Sequence, residues 1–167
     1  LLENMDDEKL ARILKHSSIS EGSYLLQFVD HSRHEPLLVN LTAQKKEKLL
    51  QFLNYPEDSA GRIMSSHFFS IPAELTAKEG LEYLRQKAKE ESIYYIYCVG
   101  ENQQLTGVVS LRDIATKDPN AQLSDLAKKE MVTVQPEMPS EEVAQLVSHY
   151  DFIALPVVDK DQKIIGI

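Results

Sequence analysis

With 167 residues, a formal net charge of -8, 43% hydrophobic and 26% charged side chains, the chain has the composition of one globular domain or two small ones. The acidic balance argues against nucleic acid or anionic lipid as partners and makes cations the more natural ones. A single cysteine, Cys98, excludes an internal disulfide, no apolar run approaches the ~20 residues of a bilayer-crossing helix, and the opening "LLENMDDEKL" carries acid where a secretory leader carries base.

Residues 1–54 read as helical. Leu10, Ile13 and Leu14, then Leu25, Leu26, Phe28 and Val29, then Leu49, Leu50, Phe52 and Leu53 recur at the spacing of one helix face. "HSSIS" and "HSRHEP" separate the groups, and Pro36 forbids one long helix. The pattern predicts two or three short amphipathic helices stacked on each other. So small a region buries little core alone, and the chain opens in full helical pattern, so this part is expected to pack on the residues after it or to continue upstream.

After "NYPEDSAGRIM" the pattern changes to strand, helix, strand, strand. "FFSIP" is a short strand. Thr76-Ala77-Lys78-Glu79 matches a capping box, in which hydroxyl and carboxylate satisfy each other's backbone amides at a helix start. Leu81, Leu84 and Ala88 mark that helix's apolar face. "IYYIYCVG" and "LTGVVSL" form a hairpin through Glu101-Asn102-Gln103-Gln104, and "RDIA" opens a short helix.

The same unit then recurs. Ile71-Pro72-Ala73-Glu74-Leu75 aligns with Val134-Gln135-Pro136-Glu137-Met138 at an offset of 63, which sets Leu81 and Leu84 on Ala144 and Val147. Val99, Gln103 and Gly107 align with Val158, Gln162 and Gly166 at an offset of 59, so the second copy lacks four residues where helix meets strand. "ALPVVDKDQKIIGI" reads as strand, turn and a second strand broken off before a helix matching "SLRDIA"; truncation or disorder of the second copy is expected.

Catalytic signatures are missing from the sequence. It contains no Gly-x-Ser-x-Gly, His-Glu-x-x-His or Cys-x-x-Cys, and no Gly-rich loop with Lys-Ser/Thr, so neither an enzyme nor a hydrolysing nucleotide site is expected. His31 and His34, three apart, share a helix face, but a zinc site needs a third ligand, and His16, His67 and His149 show no such partner. Cys98, inside an apolar strand, reads as core.

The repeat resembles a tandem pair of CBS domains, small β-α-β-β-α units that pair through their sheets and are usually regulatory. "YPEDSAGRIM" (55–64), "IYYIYCVGENQQLTGVVSLRD" (93–113) and "SEEVAQLVSHYDFIALPVVDKDQKIIGI" (140–167) resemble the cytosolic part of the MgtE magnesium transporters. The resemblance implies an α+β fold, with a partial α-helical, superhelical N domain (1–54) before a CBS pair (55–120 and 121–167) whose second member is truncated. It further implies the cytoplasmic region of an inner or plasma membrane transporter, forming a homodimer through the CBS domains and working with the transmembrane pore domain of the same full-length chain, without nucleic acid. In such a region Mg²⁺ held between domains favours the closed channel, which makes the chain a sensor and not a catalyst.

Mg²⁺ prefers an octahedron of oxygens and keeps several of its waters, so a millimolar sensor needs a few carboxylates from two surfaces. By resemblance Glu141 and Asp151 flank the second CBS helix as Mg²⁺ ligands, with the carbonyl of Ser148 beside them. Glu8 falls where a family aspartate faces the CBS domains, Asp7 is a neighbour able to substitute, and one turn on, where the family can carry another acid, this chain has Arg12. Without the resemblance these carboxylates read equally well as solvated helix faces, and Asp151 as a turn residue closing its helix.

The resemblance also points to an adenine nucleotide such as ATP in the cleft between CBS units. There Asp113 would accept the ribose hydroxyls, Arg112 meet phosphate, and Tyr95 and Phe152 contact the base. Arg-Asp at a helix start is also an ordinary N-terminal cap, and tyrosines suit any half-buried strand. The alternatives are a nucleotide-sensing CBS module of another protein and a free-standing adaptor.

Overall fold

Among the described residues, four short helices occupy the region that the sequence reads as two or three: α1 (Asp7–His16), α2 (Ile19–Leu26), α3 (His31–Leu38) and α4 (Ala43–Leu53). Each has too few turns for apolar spacing alone to mark its ends, and at α2, α3 and α4 a side-chain N-cap does so instead. Ser18 and Glu21 form a second capping box that opens α2, and the Thr42 hydroxyl accepts from the Lys45 amide to open α4. Pro36 lies inside α3, on its exposed side, where its missing N–H removes one helical bond from a helix about to end. This computed structural model describes residues 5–87, 93 and 95–167. It divides into two units, Leu1–Ser66 with Pro136–Gln145, and His67–Gln135 with Leu146–Ile167.

The first unit contains a repeat of its own. Leu25-Leu26-Gln27-Phe28 recurs as Leu49-Leu50-Gln51-Phe52, 24 residues on, and the same step carries N-cap Asp6 to Asp30 and N-cap Ser18 to Thr42. Two helical hairpins therefore stack, α1 against α3 and α2 against α4, around buried Leu10, Leu14, Leu26, Val29, Leu37, Leu38 and Leu49. Each buried leucine contributes about 1.5–3 kcal/mol by leaving water. His34 stands at the position equivalent to Leu10. It is buried, and its Nε2 lies 3.0 Å from both the Leu26 and Val29 carbonyl oxygens, so this nitrogen carries a proton and donates. Lys45 Nζ likewise donates to the carbonyls of Lys15 and Ser17 at the end of α1.

The stretch "YPEDSAG" closes this unit. Short helix α5 (Ala60–Ile63) follows buried Ser59, whose hydroxyl donates to the Pro56 carbonyl at 2.7 Å. The amides of Ala60 and Gly61 donate to the carbonyls of Met138 and Pro136, and the Ser140 amide to that of Asp58. A Cβ at Gly61 would sit 2.6 Å from the Tyr55 ring, so only glycine lets the ring lie there. The motif is thus architectural, a dock for residues 136–140.

In the second unit β1 (Phe69–Pro72), α6 (Ala77–Lys87), β2 (Ile96–Val99), β3 (Leu105–Val109) and α7 (Leu111–Thr116) make the first copy. Ala88 and Tyr94, assigned from the sequence to the helix face and the second strand, lie outside the described residues. The Thr76–Glu79 capping box forms as expected: the Thr76 amide donates to the Glu79 carboxylate at 2.9 Å and the Glu79 amide to the Thr76 hydroxyl at 3.3 Å. The sheet has order β1-β2-β3, parallel then antiparallel. Ile71, Ile96, Cys98 and Val109 face α6, α7 and α8 (Leu123–Leu126) through Leu84, Ile114 and Leu123, while Tyr97 and Val99 face the other way, onto Ile164.

The second copy, α9 (Ser140–Tyr150), β4 (Val157–Val158) and β5 (Ile164–Gly166), keeps the register of the first at equivalent residues. Ile71 pairs with Cys98 and Val134 with Val157; Cys98 pairs with Gly107 and Val157 with Gly166; both hairpins slip register after those residues. Gln103 and Gln162 both hold a positive φ. The first strand of the second copy is reduced to the Val134 bridge, and β4 starts only after Pro156, which has no N–H to give. The copies are joined where the Leu105 amide donates to the Gln162 carbonyl at 2.8 Å and the Gln104 side-chain amide to that of Asp161 at 3.1 Å.

Candidate functional site: an aromatic cavity between the two copies

Because β2 alternates, Tyr97 points away from Cys98 and toward the second copy, and Val108 lies opposite it across the β2–β3 ladder. The chain from Lys128 to Val132 crosses the same side, held by paired bonds between Val108 and Lys128. Gly107 permits this crossing, since a Cβ there would lie 2.8 Å from the Ala127 Cβ and 3.0 Å from the Lys128 carbonyl oxygen. The third wall is the passage from α9 to β4. Asp151 adopts a left-handed conformation, φ 53°, and the Phe152 amide donates back to the Val147 carbonyl at 3.2 Å. This is the Schellman ending of a helix, with aspartate where glycine is usual. The reversal stacks Tyr150 on Phe152, ring centroids 5.4 Å apart and planes at 27°.

Between these walls lies a cavity of 540 Å³, large enough for a nucleoside and lined mainly by Tyr95, Tyr97, Met131, Tyr150, Phe152 and Leu155, with Lys128 and Glu130 as its charged residues. Of the four residues assigned to a nucleotide, Tyr95 and Phe152 line it. Arg112 and Asp113 are on α7 and are not among its lining residues. Asp113 accepts from the Ser110 hydroxyl at 2.6 Å while its amide donates back to that oxygen, a helix cap. Tyr97, Tyr150 and Lys128 were not singled out from sequence, although Tyr97 follows Tyr95 at the strand period. Burial, with the neighbouring Tyr95 adding to it, pushes the Tyr97 phenol up to about 12.

The residues assigned to Mg²⁺ are spread out. Asp7 accepts a hydrogen bond from Arg33 Nε at 2.9 Å, so a cation there competes with a guanidinium. Glu8 is exposed in the first turn of α1, Glu141 in the first turn of α9, and Ser148 in its last turn, before Asp151. Among the described residues no three His, Cys, Asp or Glu side chains gather as a metal group. His31 and His34 lie ring to ring at 4.7 Å, but His34 Nε2 is a donor to two carbonyls and not a ligand. Cys98 is core as expected, its thiol pushed up to about 11 by burial.

The CBS domain family matches residues 60–119 and 123–167. The magnesium transporter MgtE of Bacillus subtilis (strain 168) is 33% identical over 167 residues, which span 99% of this chain and 34% of that protein. The soluble part of a magnesium transporter superposes with a TM-score of 0.87 at 31% identity, covering 99% of this chain and 65% of the other. The cytosolic domain of the Mg²⁺ channel MgtE in complex with ATP superposes with a TM-score of 0.64 at 30% identity, covering 99% and 78%. The chain belongs to the MgtE family. It corresponds to the cytosolic part of MgtE, with a CBS pair on an α+β fold, and it spans about a third of the length of the Bacillus relative. Among the described residues no helix is long and apolar enough to cross a membrane.

Proposed function

We propose that the chain is the regulatory region of a magnesium transporter, in which Mg²⁺ bridging acidic side chains of different domains favours the closed pore. The reading rests above all on the likeness of 99% of the chain to the soluble part of a magnesium transporter. Its domains are a helical one at 1–54 and CBS domains at 55–120 and 121–167; its partners are the pore domain of the same full-length chain and a second copy, joined through the CBS sheets.

Exposed carboxylates suit such a sensor. Two of them ~4 Å apart repel by about 4 kcal/mol at an effective dielectric of ~20, and a cation between them reverses the sign. Glu141 and Asp151 are ten residues apart, about 15 Å along the axis of α9, so they serve different ions. Asp151 has the Ser148 carbonyl nearby, at the helix end whose dipole favours a cation. Glu8 adds a further oxygen, as does Asp7 once Arg33 is displaced. Small-angle scattering of the 167-residue chain should show compaction at millimolar Mg²⁺, beyond that given by Ca²⁺ or matched salt. The double variant Glu141→Ala/Asp151→Ala should respond less, and a wild type that does not respond at all would end the proposal. For the dimer, sedimentation showing monomer alone at tens of micromolar would count against it.

A second reading, an adenine-nucleotide sensor, has one observation in its favour: a cavity of nucleoside size walled by Tyr95, Phe152 and two further tyrosines. Arg112 and Asp113 would meet phosphate and ribose beyond its wall. Calorimetric titration with ATP tests it, heat of binding being expected and its absence fatal.

A further inference from the structure

Tyr97 is 2% exposed, lines the aromatic cavity, and its hydroxyl has no hydrogen-bond partner among the described residues. Its ring is already well placed without that oxygen: Phe68 meets it edge-on at 6.3 Å, Tyr95 lies at 6.4 Å, and Val108 and Ile164 pack on the same side. Phenylalanine would make all of these contacts. An unpaired buried hydroxyl shifts a folding equilibrium against the fold by about tenfold, so the oxygen is a liability unless something in the cavity meets it.

We infer that the Tyr97 hydroxyl is the specificity-determining donor of this cavity, giving its proton to a ring nitrogen of a flat nitrogen heterocycle, a purine base, seated among Tyr95, Tyr150 and Phe152. This rests on the nucleotide reading above and adds to it the atom that reads the base. Burial keeps the phenol protonated at neutral pH, so it donates and calls for an acceptor. Glu130 and the hydroxyls of Tyr95 and Tyr150 belong to the same cavity lining, but none of them is bonded to the Tyr97 hydroxyl, whereas the edge of adenine presents three unprotonated ring nitrogens. A ligand that offers no acceptor at this point leaves the hydroxyl unpaired and is rejected.

The experiment is calorimetric titration of the 167-residue chain, wild type and Tyr97→Phe, with ATP, adenosine and its 1-deaza, 3-deaza and 7-deaza analogues. Tyr83→Phe, outside the cavity, serves as control. The expected result is that Tyr97→Phe keeps or raises the thermal midpoint yet binds adenosine about tenfold more weakly, while Tyr83→Phe binds as wild type does. One deaza analogue should show the same loss in wild type and no further loss in Tyr97→Phe, which identifies the nitrogen. If wild type and Tyr97→Phe bind adenosine alike, or every analogue weakens both equally, the inference is overturned and the nucleotide reading stands. If wild type binds neither ATP nor adenosine, the nucleotide reading fails and this inference with it.

Discussion

Asp151 shows how one residue can satisfy two demands that a sequence does not separate. From the pattern it is both a turn residue closing α9 and, by resemblance, a metal ligand. Its left-handed backbone establishes the first. An L-residue other than glycine is disfavoured there by about 1–2 kcal/mol, part of which aspartate recovers through its short polar side chain. Asp151→Gly should therefore stabilise the chain by roughly 0.5–1 kcal/mol while removing a carboxylate from the proposed Mg²⁺ set. Urea unfolding with and without Mg²⁺ separates the two effects, and a destabilised variant without Mg²⁺ would refute the backbone account. Tyr97 and Cys98 carry a pH prediction. Both are raised by burial, to about 12 and about 11, from 10.0 and 9.0. Between the ordinary and the raised values the fold holds protons that the unfolded chain has lost. Stability is thus fully present below pH ~9 and falls as pH rises toward ~12, by about 1.4 kcal/mol per unit for each group ionising only when unfolded. Cys98→Val should remove the fall between pH ~9 and ~10; an unchanged alkaline limb in urea titrations would show that the thiol is not its cause.

At the scale of elements, legibility followed chemistry. The Thr76–Glu79 box was read correctly because a cap is a local affair of four residues, and the hairpins because their turns carry their own polar signature. The helical region was under-divided. With helices of eight to eleven residues the apolar stripe of one runs into the next, and the 24-residue repeat is masked where His34 replaces the equivalent of Leu10. No rule of spacing foretells that a histidine will bind two carbonyls in that place. His34→Leu restores the apolar pattern but leaves both carbonyls without that donor, so a loss of about 1–3 kcal/mol in urea unfolding is expected; a gain would mean that apolar packing outweighs the two bonds. Glycine 107 read as part of a strand repeat, and only the crossing of residues 127–128 shows its purpose. Gly107→Ala forces a contact of 2.8 Å onto Ala127 and should destabilise by about 1–3 kcal/mol.

For the whole molecule, the sequence repeat proved to be a repeat of hydrogen bonds, because the hydrophobic alternation that revealed it is the same alternation that sets strand register. The cavity was half legible. Tyr95 and Phe152 were found, but Tyr97, Tyr150 and Lys128 become its walls only when two copies, far apart in the chain, are brought side by side. One of the bonds that join them runs from the Leu105 amide to the Gln162 carbonyl, between residues far apart in the chain. That amide proton is shielded from solvent only while the second copy is docked, whereas its strand neighbours are held by the first copy's own ladder. Its rate of exchange with deuterium is therefore a clock for undocking, and a ligand bound in the cavity should slow it more than it slows Val99 or Val109.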